Sequence, residues 1–129
     1  MGQSASFSNQ TELRITVQDT EILDTPSTFT LSAWVNPSEY RTQNSRQHSI
    51  ILKWYSSPIF GEYMFYIDSG EYAGQLGLSI ANTEADFDTD SLKATPETTI
   101  PLNKWSYVAA TFDNGTMKCK RAASCKETE

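Results

Sequence analysis

Ile100-Pro-Leu-Asn-Lys-Trp-Ser-Tyr-Val-Ala-Ala-Thr-Phe-Asp-Asn-Gly-Thr-Met117 is the stretch that decides the fold. It reads as a lead-in turn, a long strand, a tight turn and the start of a returning strand. Side chains alternate across a strand, so Val108, Ala110 and Phe112 share one face, and Trp105, Tyr107, Ala109 and Thr111 share the other. Asp113-Asn114-Gly115 supplies the residues that tolerate positive φ, which a two-residue hairpin requires.

Other segments repeat the period of two. Thr28-Phe-Thr-Leu-Ser-Ala-Trp-Val35 sets Phe29, Leu31, Ala33 and Val35 against Thr30, Ser32 and Trp34, and Asn36-Pro37 stops it. Ser49 to Tyr55, Tyr63 to Ile67 and Leu76 to Ile80 read as further strands. A weaker one spans Ser6 to Val17, with Leu13, Ile15 and Val17 on one face. No segment carries a helical period. Short strands between turn signals predict an all-β antiparallel sandwich or barrel. Trp34 and Trp105 are assigned to its core, because tryptophan is highly buried on average.

The chain has 129 residues, which suits a single domain. Sixteen acidic residues against ten basic give a net charge of -6. Such a surface repels phosphate backbones, which excludes nucleic acid and favours cations, neutral sugars or basic protein patches. No apolar run approaches the roughly 20 residues of a membrane span, and Met1 to Ser6 lacks the apolar core of a signal peptide. Cys119 and Cys125 would lie ~20 Å apart on an extended segment, beyond disulfide reach, and are read as free thiols. Asn9-Gln-Thr11 and Asn114-Gly-Thr116 fit the N-glycosylation pattern.

The order of these pieces resembles the LamG-like, concanavalin A-like lectin-glucanase jelly-roll superfamily. The resemblance is carried by Phe29-Thr-Leu-Ser-Ala-Trp-Val-Asn-Pro37, Ile50-Ile-Leu-Lys53, Tyr63-Met-Phe-Tyr-Ile67 and Pro101 to Asp113. It implies an antiparallel jelly-roll β-sandwich over residues 1–119. Past Gly115 the family pattern continues into further closing strands. Here Arg121 takes the next inward position and no strand pattern follows, so residues 120–129 are expected to be an irregular tail and the sandwich to be incomplete. Open sheet edges then predict association, including a homodimer.

Two constellations could carry chemistry. Asp86, Asp88 and Asp90 recur at alternate positions, a spacing that offers hard oxygen ligands to calcium. An EF-hand is excluded, since Ser91 stands where its glycine is required and no helices flank the loop. The resemblance implies instead a calcium-assisted loop at a sheet rim. Glu84-Ala-Asp86-Phe-Asp88 is also similar to the Glu-x-Asp-x-Glu of laminarinase-like relatives, which implies a β-glucan hydrolase with Glu84 as nucleophile, Asp88 as acid/base and Asp86 as helper. Cα atoms four residues apart on a strand lie ~13 Å apart. A retaining pair needs carboxyls ~5–5.5 Å apart, and the short Asp88 widens that gap. His48, the one histidine, ends a polar loop and is read as exposed. Sugar rings stack on flat aromatic faces, and Trp54, Tyr55 and Tyr72, with Tyr40, lie near strand ends or in loops. The expectation is a non-catalytic recognition module of an extracellular or cell-surface protein. It binds glycan or protein through Trp54, Tyr55 and Tyr72, with calcium on Asp86, Asp88 and Asp90. The hydrolase and a structural spacer are the alternatives.

Overall fold

A computed structural model describes residues 2–7, 14–23, 27–41, 47–56, 59–80, 91–93 and 99–122, with the backbone alone for residues 54–56, 59–62 and 91–93. Among the described residues seven strands form two antiparallel sheets. The chain runs through β1 (Thr28–Val35), β2 (His48–Ser56), β3 (Ile59–Ile67), β4 (Leu76–Ile80), β5 (Ser91–Lys93), β6 (Ser106–Asp113) and β7 (Thr116–Ala122). One sheet has the order β1-β6-β7 and the other β2-β3-β4-β5. They pack face to face as a β-sandwich of the jelly-roll class.

The hairpin β6–β7 forms as its sequence predicts. Asp113 pairs with Thr116, and the two residues between them, Asn114 and Gly115, have φ of 45° and 93°. Two left-handed residues in succession match the right-handed twist of the flanking strands. The turn is also tied to β1, because the Asn114 N–H donates to the Ser27 carbonyl at 2.8 Å.

The core lies between the sheets. Phe65, Leu76, Leu78, Ile100, Val108 and Ala110 are fully buried. Phe29 bridges the layers, with its ring centroid 5.6 Å from Phe112 in its own sheet and 5.4 Å from Tyr63 in the other. Offset, tilted pairs of this kind stabilise beyond the area they bury. β4 is buried along all five residues, on both of its faces. Its Gly77 is required there, because a Cβ at that position would lie 2.2 Å from Cζ of the Tyr66 ring on the paired strand.

Several expectations change. Residues 14–20 join neither sheet, and Ile15 and Val17 are 73% and 72% exposed. Alternation alone does not make a strand, since unpaired backbone groups gain nothing from an extended edge without a neighbour in register. Ser6 and Phe7 join neither sheet either, and residues 8–13 of that predicted strand lie outside the described residues. The segment is held to β2 by an ion pair between Asp19 and Lys53 at 3.2 Å. At the other end β7 takes in residues 120–122, which had been given to the irregular tail. Residues 123–129 lie outside the described residues. Cys119 is free and packs toward the core, and burial pushes its thiol up to about 11.

Candidate functional site: the outer face of the three-stranded sheet

Strands β1, β6 and β7 each turn one face toward the other sheet and leave the opposite face the more open to solvent. β1 alternates exposed and half-buried from Thr28 to Val35, and β7 does the same from Thr116 to Ala122. The register aligns the exposed positions across the sheet. Trp34 lies opposite Tyr107, and Tyr107 opposite Ala122. The next rank is Ser32, Ala109 and Lys120, and the one after it Thr30, Thr111 and Lys118. Thr28, Asp113 and Thr116 complete the face.

Trp34 and Trp105 are therefore not core residues. They are 54% and 46% exposed, and Tyr107 is 37% exposed. Trp34 falls in phase with Thr30 and Ser32, while Trp105 and Tyr107 fall opposite Val108, Ala110 and the buried Ser106. Among the described residues no further layer covers this face. The Trp34 and Tyr107 rings have centroids 5.5 Å apart and planes inclined at 53°. Beside them Ser32, Ala109 and Ala122 leave a low floor. The result is an aromatic wall over a shelf of small side chains, open to water.

The far end of the same face is polar. An open depression of about 510 Å³ there is lined by Thr28, Thr30, Thr111, Asp113, Thr116 and Lys118, with Phe29 and Phe112 beneath. The Asp113 carboxylate is held in place: its Oδ1 accepts from Thr28 Oγ1 at 3.3 Å and from Asn114 Nδ2 at 2.9 Å.

The expected site residues fare differently. Trp54 and Tyr55 lie on β2 after a register shift between Lys53 and Trp54, and nothing is described of their side chains. Tyr72 closes a single 3-10 turn, Gly70–Tyr72, between β3 and β4 and is 39% exposed. It belongs to a connection of the four-stranded sheet. Tyr40 is structural, because its hydroxyl donates to the Ile100 carbonyl while the Ile100 N–H donates to the Gly74 carbonyl at 2.8 Å. Glu84, Asp86, Asp88 and Asp90 lie outside the described residues. Among the described residues no group of three or more His, Cys, Asp or Glu could hold a metal ion.

His48 is not an exposed loop residue. It opens β2, opposite Ile67, and is half-buried, with Nε2 lacking a hydrogen-bond partner among the described residues. Desolvation, aided by the positive charge of Arg41, lowers its pKa below the usual imidazole value.

Two antiparallel sheets packed as a jelly-roll sandwich define the class of concanavalin A-like β proteins. The family model of the concanavalin A-like lectin/glucanases superfamily matches residues 8–120, and the chain belongs to that superfamily. No curated protein and no solved structure matches it. Among the described residues no helix is long and apolar enough to cross a membrane.

Proposed function

We propose that the chain is a non-catalytic glycan-recognition module whose platform is the outer face of the β1-β6-β7 sheet. One observation carries this: the Trp34–Tyr107 pair stands exposed on a rigid strand pair instead of in the core. Desolvating flat rings is favourable, and pyranose C–H faces are the partners that fit them while the neighbouring hydroxyls find Ser32 and Thr30. A site on paired strands is held more firmly than one on loops. The setting that suits such a module is extracellular or at a cell surface. The platform replaces Trp54, Tyr55 and Tyr72 as the centre of the proposed site.

Affinity electrophoresis through soluble polysaccharides, followed by tryptophan fluorescence titration, tests this. Trp34→Ala and Tyr107→Ala should each weaken binding by about tenfold or more, a loss of about 1.4 kcal/mol. Tyr72→Ala should leave it unchanged. Undiminished binding by Trp34→Ala would refute the platform. Calcium rests on the spacing of Asp86, Asp88 and Asp90 alone. If those carboxylates bind it, excess calcium should raise the unfolding midpoint at matched ionic strength, by the equivalent of about 2.7 kcal/mol at a hundred times the dissociation constant. A midpoint indifferent to calcium and chelator would remove the metal from the proposal.

A further inference from the structure

The hairpin tip between β6 and β7 carries Asn114-Gly115-Thr116, an Asn-x-Thr acceptor pattern that the platform does not use. The other such pattern, Asn9-Gln-Thr11, lies outside the described residues. The structure sets the first one in the open. Asn114, Gly115 and Thr116 are all exposed, and a Cβ built on Gly115 would meet nothing within 4 Å. The backbone beneath is fixed, because the Asn114 N–H donates to the Ser27 carbonyl at 2.8 Å. The Asn114 side-chain amide has two hydrogens. One donates to Asp113 Oδ1 at 2.9 Å, so a substituent that replaces the other leaves this contact intact. The tip also lies at the polar end of the outer face. Tyr107 and Asp113 stand ~20 Å apart along β6. A group attached at Asn114 therefore leaves the Trp34–Tyr107 end open.

We propose that Asn114 is a site of N-linked glycosylation, with an oligosaccharide carried on Nδ2 at the hairpin tip. This rests on the extracellular setting of the preceding subsection and not on its platform. In the transfer Nδ2 gives up one proton and bonds to the anomeric carbon of an oligosaccharide held on a lipid pyrophosphate. The bond from that carbon to the pyrophosphate oxygen breaks, and the lipid pyrophosphate leaves. Thr116 supplies the hydroxyl that the acceptor pattern requires. Transfer precedes closure of the turn, while the amide is not yet engaged with Asp113. A competing role exists for the Asn-Gly pair, which is to supply the positive φ of the turn and nothing more.

Translation of the full chain behind a cleavable signal peptide, in the presence of microsomes, separates these roles. An acceptor sequence added at the C-terminus reports translocation, and Asn9→Gln removes the other acceptor in the chain. The translocated chain should then carry one glycan more than the added sequence accounts for. Peptide N-glycosidase should remove it and leave a carboxylate at position 114. Thr116→Val and Asn114→Asp should each lose that glycan, and Thr116→Ser should keep it. A chain glycosylated on the added sequence alone would overturn the proposal, as would a second glycan that survives Thr116→Val. The folded protein is tested separately, on chain secreted from cultured eukaryotic cells. Removing the glycan should leave the unfolding midpoint within about 2 °C. A larger rise on removal would mean that the turn has no room for a glycan, and would overturn the proposal too. No sugar binding enters either experiment, so an unmodified Asn114 leaves the platform standing, and undiminished binding by Trp34→Ala leaves this site standing.

Discussion

Strands β4 and β1 are built from similar materials and live in different surroundings. Leu76-Gly-Leu-Ser-Ile80 is buried on both faces, with Tyr66 lying over Gly77 on one side and the sandwich core on the other. Thr28-Phe-Thr-Leu-Ser-Ala-Trp-Val35 is half-buried on one face only, and its second face carries the largest side chain of the strand into water. The four-stranded sheet thus supplies much of the stability, and the three-stranded sheet supplies a surface. Within the three-stranded sheet a large aromatic side chain means core at Phe29 and Phe112 and open surface at Trp34 and Tyr107. Its phase relative to its neighbours separates the two cases better than its hydrophobicity does.

The contrast can be broken most forcefully at its buried end. Phe65 sits on β3 with no exposed surface, so Phe65→Ala should destabilise by about 3–5 kcal/mol in denaturant unfolding, through lost transfer energy and the cavity left behind. A loss under 1 kcal/mol would mean that the four-stranded sheet is not the anchor we describe.

A smaller effect probes the inner face of the surface-bearing sheet, at Cys119 on β7. Burial raises its folded pKa from the ordinary 9.0 to about 11. Between those values the unfolded chain has lost the proton and the folded chain keeps it, so stability falls with rising pH. The thiol's contribution is fully present below pH 9 and is lost as the pH climbs through 11. The stability gap between wild type and Cys119→Ala should therefore be flat up to pH 9 and then narrow. A gap that stays constant to pH 11 would show that the inner face of β7 is wet.

The smallest effect belongs to the outer face. Trp34→Ala should cost only about 1 kcal/mol of stability, the worth of its tilted contact with Tyr107. Its consequence should appear in binding instead. A stability loss of 3 kcal/mol or more would mean that this face is covered in the folded protein.

Much of this was legible beforehand. The alternation in β1 and β6, the Asp113-Asn114-Gly115 turn and the Asn36-Pro37 stop all appear in the structure where the sequence places them. The outer-face site was legible in part. Trp34 keeps step with Thr28, Thr30 and Ser32, and a row of hydroxyls marks the wet side of a strand. Ranking tryptophan by its average burial hid that signal. The apparent N-terminal strand misled in the opposite direction: Ile15 and Val17 alternate correctly yet meet no sheet partner among the described residues, and both are exposed. His48 looked like a loop residue because its desolvation comes from packing that local sequence does not show.

By itself the amino-acid sequence determined most of the strands, the β6–β7 turn, the side chains that share a face and the family. These depend on backbone torsion preferences and a period of two, which act over a few residues. Only the tertiary structure decided which face of the three-stranded sheet is covered and that Trp34 and Tyr107 meet across paired strands. Those outcomes depend on which distant strands pair and in what register. A strand pattern states that its two faces differ, and the packing of one sheet on the other settles which of them is left to the solvent.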